Sequence, residues 1–122
     1  QGNVIPYQSL VGYKASGVPG TVAGFWQAHQ KFASMPWKVL LQPAIKLAEQ
    51  RFEVSPQLQR RSTWFKSWIA DKSPVELNYS DYFANLKVGD TLQQPELAQT
   101  LKRIANKGAQ EFYKGETANL LV

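Results

Sequence analysis

The ten residues Ala15-Ser16-Gly17-Val18-Pro19-Gly20-Thr21-Val22-Ala23-Gly24 crowd glycines and a proline into the mouth of an otherwise apolar segment. A generic soluble domain has no need of such a run, so it constrains this chain more than any other feature. Pro19 locks its own φ and Gly20 is conformationally permissive, which disfavours regular structure before Thr21. From there Val22, Phe25, Trp26, His29 and Phe32 recur at three- and four-residue spacing and predict a helix, capped by Gly20 or Thr21 and ended by Met35-Pro36.

The same periodicity continues downstream. After Trp37, the residues Leu40, Leu41, Ala44, Ile45 and Ala48 share one helical face, with a kink or a fresh start expected at Pro43 because proline lacks a donor and crowds the carbonyl of Val39. Phe52 and Val54 read as a short extended link. Ser55-Pro56 supplies a cap and a first helical residue for a third helix carrying Leu58, Phe65, Trp68 and Ile69 and ending near Asp71. Residues 71–92, with Ser73-Pro74, Tyr79, Tyr82, Phe83 and the turn signal Val88-Gly89-Asp90, read as mostly loop with short helical turns. Pro95 then opens a helix with Leu97, Ala98, Leu101, Ile104 and Ala105 on one face, closed by Gly108. A short helix is predicted from Glu116 to Val122. No strand pattern of comparable strength appears, so the expected fold class is an all-α segment, 1–122, forming a single helical unit.

A chain of 122 residues can bury one core, covering roughly two-thirds of its unfolded surface. Hydrophobic residues at 43% and charged residues at 19% lie in the globular range. The net charge of +5 comes from 14 basic and 9 acidic residues scattered along the sequence, with Arg60-Arg61 and Lys102-Arg103 the adjacent basic pairs. Such scatter is expected of a solvated surface, and no nucleic-acid partner is predicted. No apolar run reaches membrane-spanning length, and no cysteine is present for a disulfide or a thiolate metal site. The first residue is Gln, which suggests a processed chain or a piece of a longer one.

The glycine-rich run, followed by Met35-Pro36-Trp37, then Leu41-Gln42-Pro43-Ala44-Ile45-Lys46-Leu47-Ala48 and Phe52-Glu53-Val54, resembles the large subunit of gamma-glutamyltransferases. The resemblance extends through the stretch from Gly89-Asp90-Thr91 to Thr100-Leu101 and through Gly108-Ala109-Gln110-Glu111-Phe112-Tyr113-Lys114-Gly115, covering residues 12 to 122. A single block of this kind is weak, but four in the right order are specific. Related cephalosporin acylases and capsule-processing transpeptidases share the plan. Ser34 and Arg51 depart from it where the family tends to have glycine, which implies helices closed in a different way.

The resemblance implies the helical part of the large subunit of a four-layer αββα N-terminal nucleophile hydrolase. In such an enzyme the precursor cuts itself, and the new terminal threonine of the small subunit attacks a gamma-glutamyl amide such as glutathione. The acyl group then passes to water or to an amino acid or peptide acceptor. The threonine's own α-amine, with a pKa near about 8, suits it as the base, and an oxyanion hole holds the developing charge. Thr21, Thr63, Thr91, Thr100 and Thr117 are internal and lie outside any threonine-rich processing sequence. The Arg-Glu-x-Ala-Pro motif that grips the substrate carboxylate is expected shortly before Gln1. No catalytic, substrate-binding, cofactor-binding or metal-binding residue is therefore assigned to this segment, and no cofactor is implied. The partners implied are the remainder of the large subunit and the small subunit, with gamma-glutamyl substrates in the parent, no membrane span, and self-association of the isolated piece. The implied location is periplasmic, secreted or surface-bound.

Other residues carry chemistry of their own. His29 shares a face with Phe25, Trp26 and Phe32, which favours a place in or beside the core. Glu49 with Glu53, or Asp81 with Asp90, could form acid–base pairs, but lone carboxylates at such spacings are usually solvated or ion-paired. The Gly17-Val18-Pro19-Gly20 turn could offer backbone donors to an anion, yet it lacks the lysine and hydroxyl of a phosphate loop and reads as a structural turn. Trp26, Trp37, Trp64 and Trp68 read as core or interface aromatics. A second reading, from another class, is a free-standing helical protein-binding module that has reused this segment and presents an aromatic patch. Neighbouring coding sequence discriminates between the two.

Overall fold

The structure, a computed structural model, describes residue 2 and residues 4–73, 78–83 and 85–121. The chain is mostly helical and divides into two compact units, 19–52 with 92–122, and 1–18 with 53–91.

The first unit contains α1 (Thr21–Phe32), α2 (Trp37–Glu49), α5 (Pro95–Lys107), α6 (Ala109–Lys114) and α7 (Glu116–Leu121). Its closest helix pair is α2 with α5. Ile45 and Ala48 of α2 are buried together with Ala98, Ile104 and Ala105 of α5 and Ala109 of α6. Small residues at this seam let the two backbones approach closely. Carbonyls at the C-terminal end of α2, which have no partner inside the helix, are taken up by the segment entering α5. Gln94 N–H donates to Ala48 O at 3.0 Å and the Gln93 side-chain amide donates to Glu49 O at 2.7 Å. Trp37 Nε1–H reaches Ile104 O at 3.1 Å, tying α2 to α5 at the other end.

The second unit contains a 3-10 turn at Tyr13–Ala15, α3 (Pro56–Ala70) and α4 (Tyr79–Phe83). Ser55 caps α3 as its position predicts, its Oγ accepting from Leu58 N–H at 3.2 Å with Pro56 in the first turn. Buried Ser62 donates to Phe83 O and accepts from Tyr79 OH at 3.2 Å, and Phe65 packs on Tyr79 with ring centroids 4.6 Å apart. Lys87 to Asp90 form a turn in which Gly89 has φ 88, and Asp90 Oδ2 accepts from Lys87 N–H at 2.9 Å. Only glycine enters that region without strain.

The extended link at Phe52 is a strand, β1 (Phe52–Glu53), paired with β2 (Thr91–Leu92) in a two-stranded sheet, so the segment is helical with a ribbon and not all-α. Strands of two residues are too short to leave an alternating pattern in a sequence. Helix α2 runs unbroken through Pro43, so no fresh start occurs there. Helix α6 forms over Ala109–Lys114, where no helix was predicted, and α7 ends at Leu121, with Val122 outside the described residues. Pro74 of the Ser73-Pro74 pair also lies outside them. Helices α1 and α2 close on extended residues, Ala33 (ψ 137) and Gln50 (ψ 141). Neither Ser34 nor Arg51 has a positive φ, so the helices end without the left-handed glycine.

Candidate functional site

Helix α1 is held at its start by a residue far along the chain. Gly20 provides no side-chain cap, and the phenol of Tyr113, on α6, fills that role. Its hydroxyl donates to Pro19 O at 2.6 Å and accepts from Ala23 N–H at 3.1 Å. One of the donors that could have received an anion at this helix start is thereby occupied, in keeping with a structural turn.

Gly108 closes α5 with φ 71, and a methyl group added there would lie 3.0 Å from Trp26 Cη2. Trp26 in turn meets Trp37 edge-on at 5.1 Å and stacks on His29 at 5.9 Å. His29 is half-buried, and its Nε2 lies 2.8 Å from Met35 O. A carbonyl only accepts, so Nε2 carries the proton and Nδ1 accepts from the Gln30 amide at 3.3 Å. Both ring nitrogens are engaged in holding the α1–α2 corner, and neither is left to act as a base or a metal ligand.

Beside this aromatic corner, α1 and α2 leave an apolar groove of about 580 Å³, lined by Val22, Phe25, Phe32, Trp37, Leu40 and Leu41 and by Leu101 and Ile104 of α5. Phe25 is 65% exposed and Phe32 83% exposed. Large side chains set this far into water, in a row, mark a face shaped to meet something else.

Among the described residues the carboxylate whose pKa is shifted is Glu111, which no sequence pattern singled out. It is buried at the corner of α6 and α7. Oε1 accepts from Thr117 N–H at 3.2 Å and lies 3.4 Å from Arg103 Nε, while Lys107 Nζ is 3.4 Å from Oε2. Burial pushes its pKa up, but the hydrogen bond from Thr117 N–H, the hydrogen bond and charge of Lys107 and the Thr117 hydroxyl together outweigh it, and the net shift is downward. Glu111 thus stays charged and caps the start of α7. A methyl group at Gly115 would strike its Oε2, which makes this glycine part of the same corner. The available signal was the Arg103, Lys107, Glu111 series at four-residue spacing, masked by the helix break at Gly108.

The remaining candidates do not assemble into chemistry. Glu49 is ion-paired with Lys102, Glu53 is exposed on β1, and Asp90 serves its own turn. Trp64 is exposed and not part of a core. Among the described residues no group of three or more His, Cys, Asp or Glu side chains could hold a metal ion, and no helix is long and apolar enough to cross a membrane.

Comparison with known proteins places this architecture. The family model described as gamma-glutamyltranspeptidase matches residues 1–122. A glutathione hydrolase proenzyme of Pseudomonas aeruginosa is 49% identical over 123 residues, spanning 100% of this chain and 21% of that protein. Its Escherichia coli counterpart is 42% identical over 122 residues, spanning 97% of this chain and 20% of that protein. The solved gamma-glutamyltranspeptidase from Pseudomonas nitroreducens complexed with L-DON superposes with a TM-score of 0.87 at 49% identity, covering 99% of this chain and 35% of that one. The chain spans about a fifth of the length of the curated relatives it matches.

Proposed function

The chain belongs to the gamma-glutamyltranspeptidase family, and we propose that it is the helical part of the large subunit of an N-terminal nucleophile hydrolase, supporting a four-layer αββα core that it does not itself contain. The parent cleaves gamma-glutamyl amides such as glutathione. It passes the gamma-glutamyl group to water or to an amino acid or peptide acceptor, using a terminal threonine on the small subunit as nucleophile and its α-amine as base. The parent works in the periplasm, outside the cell or at its surface. Residues 1–122 act as a single structural segment and supply no catalytic, substrate-binding, cofactor or metal ligand.

The observation that carries this reading is Gly24. It sits inside α1, its N–H bonded to Gly20 O at 2.9 Å, and a methyl group added to it would meet nothing within 4 Å. Glycine in a helix interior costs about 0.5–1 kcal/mol relative to alanine, and nothing among the described residues asks for that cost. Gly17 is equally open. Gly20, Gly24 and Ala28 fall at four-residue spacing and form a low ridge beside the apolar groove, a shape that admits another backbone at close range. On this reading the open space beside the glycines is where the remainder of the parent packs.

The test is the product of the full reading frame. It should release chromophore from a gamma-glutamyl anilide, faster with a peptide acceptor than with water alone, and its frame should carry Arg-Glu-x-Ala-Pro upstream of Gln1 and a threonine processing site downstream of Val122. Stop codons on both sides, or a full-length product without this turnover, would overturn the reading in favour of a free-standing helical binding module.

A further inference from the structure

Helix α3 carries charge on one side that its own stability does not require. Its sequence, PQLQRRSTWFKSWIA, includes three basic residues and no carboxylate. Neither Arg60 nor Arg61 joins an ion pair among the described residues. Both lie in the N-terminal half of the helix, where the dipole favours negative groups. At about 100° per residue, Arg60, Arg61, Trp64 and Trp68 fall within about one-third of the helix circumference, well away from buried Ser62, and extend along it for about 12 Å.

The side chains continue this band beyond the helix. Trp64, 58% exposed, shares a hollow with Arg60 and Arg61 and stacks on Trp68 at 6.0 Å and 19°. Lys72 Nζ lies 5.2 Å from the Trp68 ring and 5.4 Å from the ring of Tyr7. Tyr7 is half exposed and has φ 63, a strained value for a residue with a side chain. The arginine pair, the two stacked tryptophans and the Lys72–Tyr7 contact thus follow one another on this unit, with Lys72 Nζ also donating to Trp68 O at 2.8 Å.

We infer that this band is a docking surface for an anionic phospholipid bilayer, with Arg60, Arg61 and Lys72 on headgroup phosphates and Trp64 and Tyr7 at the level of the interface. Indole and phenol rings favour that boundary, and basic side chains are drawn to an anionic leaflet. A helix presents a convex face, which a plane of phosphates can meet at several points at once. Single-stranded nucleic acid is instead gripped in a charged groove that tracks its backbone.

The test is flotation of the full-length protein with vesicles of phosphatidylglycerol and phosphatidylcholine in equal parts, against vesicles of phosphatidylcholine alone. Each basic side chain near an anionic surface contributes about fivefold, so Arg60→Gln/Arg61→Gln should lower the vesicle-bound fraction at least tenfold with helicity unchanged. Trp64→Ala should weaken binding and keep its salt dependence, and about 1 M salt should abolish it. Lys31→Gln/Lys38→Gln, an equal loss of charge on exposed positions of the other unit, should bind as the parent does. No binding to the anionic vesicles, equal binding to both vesicle types, or wild-type binding by the double arginine variant would overturn the inference. So would arginine-dependent binding to single-stranded RNA without binding to vesicles.

Discussion

The hydroxyl of Tyr113 accepts a hydrogen bond from Ala23 N–H at 3.1 Å while donating to Pro19 O at 2.6 Å, so a residue 90 positions away caps the helix that the glycine-rich run opens. Tyr113→Phe removes both bonds and little volume. The chain should lose about 1 kcal/mol, within the range for a lost helix cap. Urea unfolding should show a lower midpoint with an unchanged slope, and an unchanged midpoint would mean that the phenol contributes nothing.

Gly24 and Gly108 should respond in opposite directions to alanine. Gly24→Ala meets open space, so the isolated chain should gain about 0.5–1 kcal/mol. In the full-length protein the same change should lower activity or assembly, as the proposed packing of the remaining parent against Gly24 requires. Gly108→Ala forces a side chain into φ 71 and against the Trp26 ring, and should cost about 1–3 kcal/mol in either form. Stabilisation by Gly24→Ala in the isolated chain together with full activity of the intact variant would remove the argument for an outside contact.

Glu111 makes stability depend on pH in a defined direction. Its pKa is lower in the folded chain than in the unfolded one, so the unfolded state binds the proton more readily. The stabilisation is complete above the ordinary glutamate value of about 4.3 and is lost as the pH falls below it, through the depressed folded value. Unfolding midpoints measured from pH 7 down to pH 3 should show the parent and Glu111→Gln converging in acid, with the variant less stable at neutral pH because Arg103 and Lys107 lose the negative charge they face. Parallel curves would contradict this role.

The exposed groove predicts self-association of the isolated chain. Phe25 and Phe32 present apolar area that the parent would cover. Sedimentation should show concentration-dependent oligomers, and Phe25→Ser/Phe32→Ser should shift the chain to monomer. A strict monomer at high concentration would count against a missing neighbour on this face.

Legibility in the sequence followed the range of the interactions. The faces of α1, α2, α3 and α5 and the Ser55-Pro56 start were readable because periodicity and capping are local. The two-residue strands, the Tyr113 cap and the Glu111 corner were not, since each depends on partners brought together by folding. Pro43 allowed a kink or a fresh start, and the packing of Ile45 and Ala48 against α5 keeps α2 one helix through it. The Arg60-Arg61 pair was read as ordinary solvated surface, and its exposed neighbour Trp64 as packing. Their shared hollow became visible only in three dimensions.

The central claim is that these 122 residues support a gamma-glutamyl transfer enzyme whose reacting groups lie elsewhere. Turnover of a chromogenic gamma-glutamyl anilide, measured in parallel on the isolated chain and on the product of its full reading frame, tests it most directly. The account predicts no chromophore release from the isolated chain and sustained release from the full product. Turnover by the chain alone, or none by the full product, would contradict it.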